Sequence, residues 1–137
     1  MKKGFTLLEL LLVISLIGIL VSVAVMRFDF FTEISEKVEI RTMVNQLRFS
    51  RNKAISSGKR TYVNFTDEGG NFIVVLSSED FSDGKKYTYI RRAKSIGKVE
   101  FLKSGAPDRG ETLIFVGKNR EYEITIQPGT GYIRWSK

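Results

Sequence analysis

The chain begins with MKKGFTLLELLLVISLIGILVSVAVM, residues 1–26. This stretch is the most informative part of the sequence for the fold and for the location of the protein. From Phe5 to Met26 the side chain of Glu9 is the only charged one. A helix over these residues would be about 33 Å long, enough to cross a hydrocarbon core of ~30 Å. Because no water-facing stripe interrupts it, we expect residues 5–26 to span a membrane.

The charges beside this segment predict its orientation. Lys2 and Lys3 precede it, and basic residues favour the cytoplasmic side. We therefore expect a single-pass protein of the cell inner membrane, with a cytoplasmic N-terminus and a C-terminal domain in the periplasm. The alternative is a secretory signal peptide that is cut after Ala24.

Glu9 argues against a plain signal peptide. A carboxylate in an apolar segment costs up to roughly 2.5–3.5 kcal/mol near the bilayer centre, so it usually has a cationic partner. Cleavage between Gly4 and Phe5 would create such a partner, the α-amino group of Phe5. On its own chain this amine lies about one helical turn away; on a neighbour shifted along the axis it could pair with Glu9 directly. We therefore expect Glu9 to favour assembly.

The run GFTLLE, from Gly4 to Glu9, followed by an apolar segment resembles the processing motif of type IV prepilins and type II secretion pseudopilins. The resemblance implies a leader peptide of residues 1–4, which a prepilin peptidase removes between Gly4 and Phe5. It also implies methylation of the new Phe5 amine and an assembly role for Glu9. Met26 stands where many relatives have a proline that kinks the helix.

The helix pattern continues beyond the membrane segment with a different face. Neither glycine nor proline occurs from Ile19 to Ser57, and Gly58 is the expected C-terminal cap. We therefore predict an amphipathic helix over residues 27–57, with Asp29 as the expected position of any bend. Its apolar face is expected to complete the core through Ile40, Val44 and Leu47. Its opposite, solvated face is predicted to carry Glu33, Glu36, Lys37, Arg41, Arg48, Arg51 and Lys53.

Residues 58–137 change to a period of two and predict a β-rich globular domain. Short runs rich in β-branched and aromatic residues alternate with turn clusters such as Ser82-Asp83-Gly84. The predicted strands are Tyr62–Thr66, Phe72–Ser77, Tyr87–Arg91, Val99–Leu102, Thr112–Val116, Tyr122–Ile126 and Tyr132–Trp135. The fold class is therefore α+β, with a long N-terminal helix packed on an antiparallel β-sheet or β-sandwich.

Two further segments indicate which group within this family the chain resembles. The helix end from Leu47 to Ile55 and the final strands from Ile124 to Arg134 are similar to those of H-type minor pseudopilins, whose relatives include fimbrial T-type minor pilins. This resemblance implies a non-enzymatic minor pseudopilin of a type II secretion system, near the filament tip, without a cofactor. The alternative is a minor type IV pilin for adhesion, twitching motility or DNA uptake. The implied partners are other filament subunits, the prepilin peptidase and the membrane.

The composition limits other chemistry. The chain has no His and no Cys, which excludes disulfides, Ser-His-Asp catalysis and the usual zinc sites. An enzyme would need converging carboxylates, and no such pair stands out in the sequence. A loop with Glu79, Asp80 and Asp83 is predicted to be a solvated turn rather than a calcium site. A basic run is predicted to be a solvated strand edge, formed by Arg91, Arg92 and Lys94.

A second basic group near the C-terminus is a candidate DNA surface. Arg134 and Lys137 flank Trp135, and Lys118 and Arg120 lie in a turn that could converge with them. Cations beside an aromatic ring are the ingredients of nucleic-acid binding. Fimbrial T-type pilins that bind DNA do so around a C-terminal glycine-and-arginine motif, which this chain matches only in part.

Overall fold

The computed structural model describes residues 6–68, 71–90, 92–93, 97–118 and 120–136, with the backbone alone at residues 25–29, 71 and 92–93. The predictions for Gly4, Phe5 and Lys137, and those for Arg91 and Lys94, lie outside the described residues. The chain divides into two units, Met1–Ile34 and Ser35–Lys137.

The described residues form one helix and eight strands. The helix α1 is Leu7–Ser57. The strands are β1 (Thr61–Glu68), β2 (Asn71–Ser78), β3 (Phe81–Tyr87), β4 (Arg92–Ala93), β5 (Lys98–Phe101), β6 (Glu111–Val116), β7 (Glu121–Ile126) and β8 (Ile133–Ser136). The helix is followed by Gly58 at a φ of 62°, a left-handed conformation that favours glycine, so the predicted cap is confirmed.

The strands form two antiparallel sheets. The first has the order β3-β2-β1-β5, and the second has the order β4-β6-β7-β8. Their inner faces meet through aromatic side chains: the rings of Phe65 and Phe115 lie 5.8 Å apart, and those of Phe72 and Phe115 lie 5.9 Å apart. The helix completes this core as predicted, because Ile40, Val44 and Leu47 are all buried. The predicted α+β class is confirmed.

The prediction was wrong around β3. The segment Ser82-Asp83-Gly84 lies inside this strand, and the turn before it is formed by Glu79 and Asp80. The predicted strand Tyr87–Arg91 does not form, since β3 already ends at Tyr87. The reason is the pairing with β2. Ser78 pairs with Phe81 across a tight hairpin, and β3 then pairs with β2 along its full length, so these residues form a strand although their side chains favour a turn.

The acidic turn has a basic neighbour. Lys59, just beyond the helix, lies 2.7 Å from a carboxylate oxygen of Asp80 and 3.1 Å from one of Glu79. These hydrogen-bonded carboxylates raise the pKa of Lys59 above its ordinary value. Within the described part of the chain, no group of carboxylates is arranged to hold a metal ion.

Candidate anchoring and assembly site

The first unit carries an apolar helix with exposed side chains. From Leu7 to Ala24 the segment is long and apolar enough to cross a membrane. Its large side chains are exposed throughout; the side chain of Leu7, for example, is 77% accessible. The hydroxyls of Ser15 and Ser22 donate to carbonyls one turn earlier, at 2.8 and 2.9 Å, so they do not need water. This segment is consistent with membrane anchoring.

Glu9 lies in the first turn of this helix. The Thr6 hydroxyl oxygen accepts a hydrogen bond from the Glu9 backbone N–H at 3.3 Å, so Thr6 caps the helix. The pattern Thr6-Leu7-Leu8-Glu9 is that of a capping box, a signal that the sequence interpretation missed. Within the described residues, the Glu9 carboxylate itself has no hydrogen-bond or ion-pair partner. Its pairing with a neighbouring amine stays a prediction.

In the second unit, Glu36 is buried, contrary to its predicted place on the solvated face. Its side chain is 3% exposed, and its carboxylate accepts from the Lys118 backbone N–H at 2.7 Å and from the Tyr122 hydroxyl at 2.9 Å. A Cβ added at Gly117 would lie 2.5 Å from the carboxylate carbon, so this position has no room for a side chain. Glu36 therefore joins the helix to the turn between β6 and β7.

Glu39 joins the helix to the other sheet. Its carboxylate accepts from the consecutive backbone N–H groups of Thr88, Tyr89 and Ile90, at 2.9, 2.9 and 3.0 Å. The Tyr87 hydroxyl donates to Gln46 on the same helix. Burial raises the pKa of Tyr87 well above its usual range, and the negative charge of Glu39 adds to this effect. The carboxylate thus holds the segment that follows β3.

Two arginines bond backbone carbonyls further along the helix. The Arg51 guanidinium donates to the Gly105 carbonyl at 3.3 Å and to the Thr130 carbonyl at 3.1 Å. It therefore links the β5–β6 loop to the β7–β8 loop. Arg48 donates to the carbonyl of Ile133 in β8 at 3.4 Å. We call the four side chains that tie α1 to the sheets the helix clasp: Glu36, Glu39, Arg48 and Arg51.

The helix clasp corrects the predicted solvated face. Glu36 precedes Ile40 by four residues, and Arg51 follows Leu47 by four, so both share the apolar face at helical spacing. Spacing could have placed them there; the sequence interpretation assigned them by charge alone. Helical spacing could not predict the hydrogen-bond partners of these two residues, because the partners are backbone groups of distant loops and leave no signal in the side-chain pattern.

The described candidate DNA residues lie toward opposite ends of strand β7 in the second sheet. Lys118 and Arg120 are exposed in the β6–β7 turn, and Arg134 is exposed on β8 opposite Thr125. On the same face of β7, the exposed side chains of Glu121 and Glu123 lie between this turn and Arg134. These two carboxylates reduce the positive potential there, and DNA binding stays a prediction.

Comparison with known proteins identifies relatives. Residues 1–25 match the prokaryotic N-terminal methylation motif. A fimbrial protein of Pseudomonas aeruginosa is 26% identical, over 86% of this chain and 80% of the relative. The type IV major fimbrial protein FimA of Dichelobacter nodosus is also 26% identical, over 100% of this chain and 83% of the relative. The structure of the minor pseudopilin EpsH from the type 2 secretion system of Vibrio cholerae is similar with a TM-score of 0.48 at 16% identity, over 73% of this chain and 94% of that one.

The fimbrial relatives are structural proteins rather than enzymes, and they match nearly the whole chain, both the apolar helix and the strands. The methylation motif covers the start of the same helix, where Glu9 lies. The chain is therefore similar to type IV pilins, both in its N-terminal methylation motif and along most of its length.

Proposed function

We propose that this chain is a minor pseudopilin, a membrane-anchored subunit of the filament of a type II secretion system. A prepilin peptidase cleaves it between Gly4 and Phe5, and the Phe5 amine is then methylated. The observation that carries the proposal is the single carboxylate of Glu9 on an apolar and exposed helix that leads into a folded unit. A helix with these properties suits two environments, a lipid bilayer and the inside of a helical filament.

The assembly step follows from the chemistry of the first turn. In the membrane the Glu9 carboxylate is costly, and the amine of a neighbouring subunit would neutralise it. The apolar side chains from Leu7 to Ala24 then exchange lipid for the helices of other subunits. Since the contact needs two chains, the same residue that disfavours the isolated anchor favours the filament.

The proposed topology is a single pass through the inner membrane with the N-terminus in the cytoplasm and the unit Ser35–Lys137 in the periplasm. Lys2 and Lys3 support this orientation through the positive-inside rule. The expected partners are other pilins or pseudopilins, the prepilin peptidase and the membrane.

The second candidate is a minor type IV pilin. The observation that favours it is the nature of the relatives, because those that match most of the chain are fimbrial proteins. The secretion role is supported by the H-type pattern in the helix end and the last strands. The two candidates share the same processing and the same assembly contact.

The test replaces Glu9 by leucine and, as a matched control, Ser15 by leucine. Both changes remove a polar group from the same segment, but only the first removes the charge. We expect Glu9→Leu to insert and to be cleaved, yet to lose crosslinks to its filament partners, whereas Ser15→Leu should assemble as the wild type does. Assembly of Glu9→Leu at the wild-type level would contradict the proposal.

Deletion of the gene separates the two candidates. Loss of secreted proteins from the medium with surface pili retained would support the pseudopilin, and loss of sheared pili with secretion retained would support the pilin. Complementation with the wild-type chain and with Glu9→Leu links either defect to the assembly contact.

A further inference from the structure

Strand β3 forms an open edge of the first sheet. The order β3-β2-β1-β5 places it at one end. The edge at β5 is covered, because Phe101 bridges to Pro107 and the Asp108 N–H donates to the Glu100 carbonyl at 2.9 Å. Within the described part of the chain, no strand other than β2 pairs with β3. All five residues from Ser82 to Lys86 are exposed.

The register shows which backbone groups of β3 are open. The N–H of Phe65 in β1 donates to Gly97 on the β5 side at 3.2 Å, so the even-numbered residues of β1 direct their backbone groups to β2. These residues pair with the odd-numbered residues of β2, so the even-numbered residues of β2 direct their backbone groups to β3. Their partners in β3 are the odd-numbered residues, which therefore direct their backbone groups to β2. The backbone N–H and C=O groups of Ser82, Gly84 and Lys86 therefore face outward.

Gly84 is the midpoint of this edge, and the fold of its own chain does not require a glycine there. Its φ is not positive, unlike that of Gly58. A Cβ at Gly84 would meet only a methyl group of Val75, at 3.7 Å, which is an ordinary contact. Glycine inside a strand weakens it and often marks the close approach of another backbone.

We propose that β3 is a dimerisation surface and that its occupant is β3 of a second copy of this chain, paired antiparallel about Gly84. In this register Gly84 lies opposite the partner's Gly84, and Ser82 lies opposite the partner's Lys86. These are hydrogen-bonded pairs, and together they form six N–H···O=C bonds between the two chains.

Charge complementarity selects this register. Asp83 lies opposite the partner's Lys85, and Lys85 lies opposite the partner's Asp83, in the non-hydrogen-bonded pairs where side chains are closest. Moving the symmetry centre by one residue in either direction places Asp83 opposite Asp83 or Lys85 opposite Lys85. Within the described residues neither side chain has an ion-pair partner in its own chain.

The same two charges explain how the edge avoids other strands. Asp83 and Lys85 lie on the core-facing side, because their partners in β2 are the buried Leu76 and Val74. Charged residues on the inward side of an edge strand usually prevent pairing. Here they oppose strands that lack the matching order of charges, and a second copy of β3 supplies that order.

The contact closes on itself. It uses the same patch on both copies, so it joins two chains and cannot extend into a filament, which requires head-to-tail contacts. If the chain is anchored in the membrane as proposed, the pair belongs to the pool of subunits that have not yet assembled.

The test uses the purified full chain in detergent. The chain has no cysteine, so Gly84→Cys introduces the single thiol. In the proposed pair the two Cα atoms at position 84 are about 5.5 Å apart, and a short bis-maleimide, which adds one thiol at each end, should join the two cysteines. Val75→Cys is the control, since it lies beside Gly84 on the same face but about 14 Å, three strand spacings, from its copy. We expect crosslinked dimer with the first variant and not with the second.

Charge reversal in the Gly84→Cys background tests the register. Asp83→Lys alone and Lys85→Asp alone each replace two attractive pairs by two repulsive ones, and each should weaken the dimer roughly tenfold or more. A mixture of the two single variants should restore crosslinking between unlike chains, and the double variant Asp83→Lys/Lys85→Asp should restore it between like chains.

Equal crosslinking in the single variants and the mixture would overturn the proposal, as would equal crosslinking of Gly84→Cys and Val75→Cys. Secretion and pilus phenotypes do not enter this measurement, so its failure leaves the proposed function standing.

Discussion

Replacing Glu39 by glutamine is expected to destabilise the unit Ser35–Lys137 by about 2–3 kcal/mol. The carboxylate accepts three backbone N–H groups, two at Oε2 and one at Oε1. The glutamine amide is best placed with its oxygen toward Tyr89 and buried Ile90, which leaves its NH₂ group facing the N–H of Thr88. That bond is lost, but Thr88 is exposed and water replaces the bond, so this loss adds less than about 1 kcal/mol. The two remaining bonds lose their charge assistance, at about 1 kcal/mol each, since hydrogen bonds to charged groups contribute ~1.5–3 kcal/mol and neutral ones ~0.5–1.5 kcal/mol.

The assay is urea unfolding of the full chain in mild detergent, followed by the fluorescence of Trp135. This is the only tryptophan, and it packs against the core. Arg41→Gln is the control, because it changes one charge on an exposed position of the same helix and should alter stability by less than about 0.5 kcal/mol. A loss for Glu39→Gln no larger than that of the control would refute the reasoning that this carboxylate holds the segment after β3.

Three further predictions concern processing, packing and alkaline stability. Gly4→Leu should stay uncleaved, because the peptidase must bring the scissile bond close to its catalytic groups; mass spectrometry that finds a mature chain starting at Phe5 would contradict this. Gly131→Ala should cost more than about 3 kcal/mol and Gly129→Ala about 1–2 kcal/mol: both positions have positive φ, but an added Cβ meets a backbone carbonyl at 2.3 Å only at Gly131. Since the pKa of Tyr87 is raised in the fold from 10.0, its contribution to stability is fully present below pH 10 and is lost as the pH rises further; Tyr87→Phe should reduce this decline in unfolding titrations, and an unchanged decline would exclude that cause.

Periodicity predicted the large elements of this fold. The apolar positions Ile40, Val44 and Leu47 recur at helical spacing and are buried, and Gly58 ends the helix as its left-handed φ requires. The alternating runs became antiparallel strands because one face of each sheet meets the core. Local pattern was sufficient wherever the residues that pack together also follow one another in a regular spacing.

Local pattern failed where distant partners decide the structure. In β3 the residues Ser82, Asp83 and Gly84 favour a turn, yet pairing with β2 makes them a strand. Glu36 and Arg51 were assigned to the solvated face because of their charge. The backbone groups that they bond lie far away along the chain and leave no signal in the sequence around these two residues. The cost of a carboxylate in lipid predicted an assembly role for Glu9. Its place in the capped first turn of the helix was indicated only by its spacing of three residues from Thr6.

The helix clasp has a mechanical consequence. Tension applied to α1 from its N-terminal side is carried into the unit Ser35–Lys137 through Glu36 and Glu39 and, further along the same helix, through Arg48 and Arg51. A pull along the helix therefore loads these bonds in shear and together, rather than opening them one after another. A subunit that is pulled by its helix should yield only at high force and in a single step, and its β-strands, which are tied to the helix through their loops, should unfold with it.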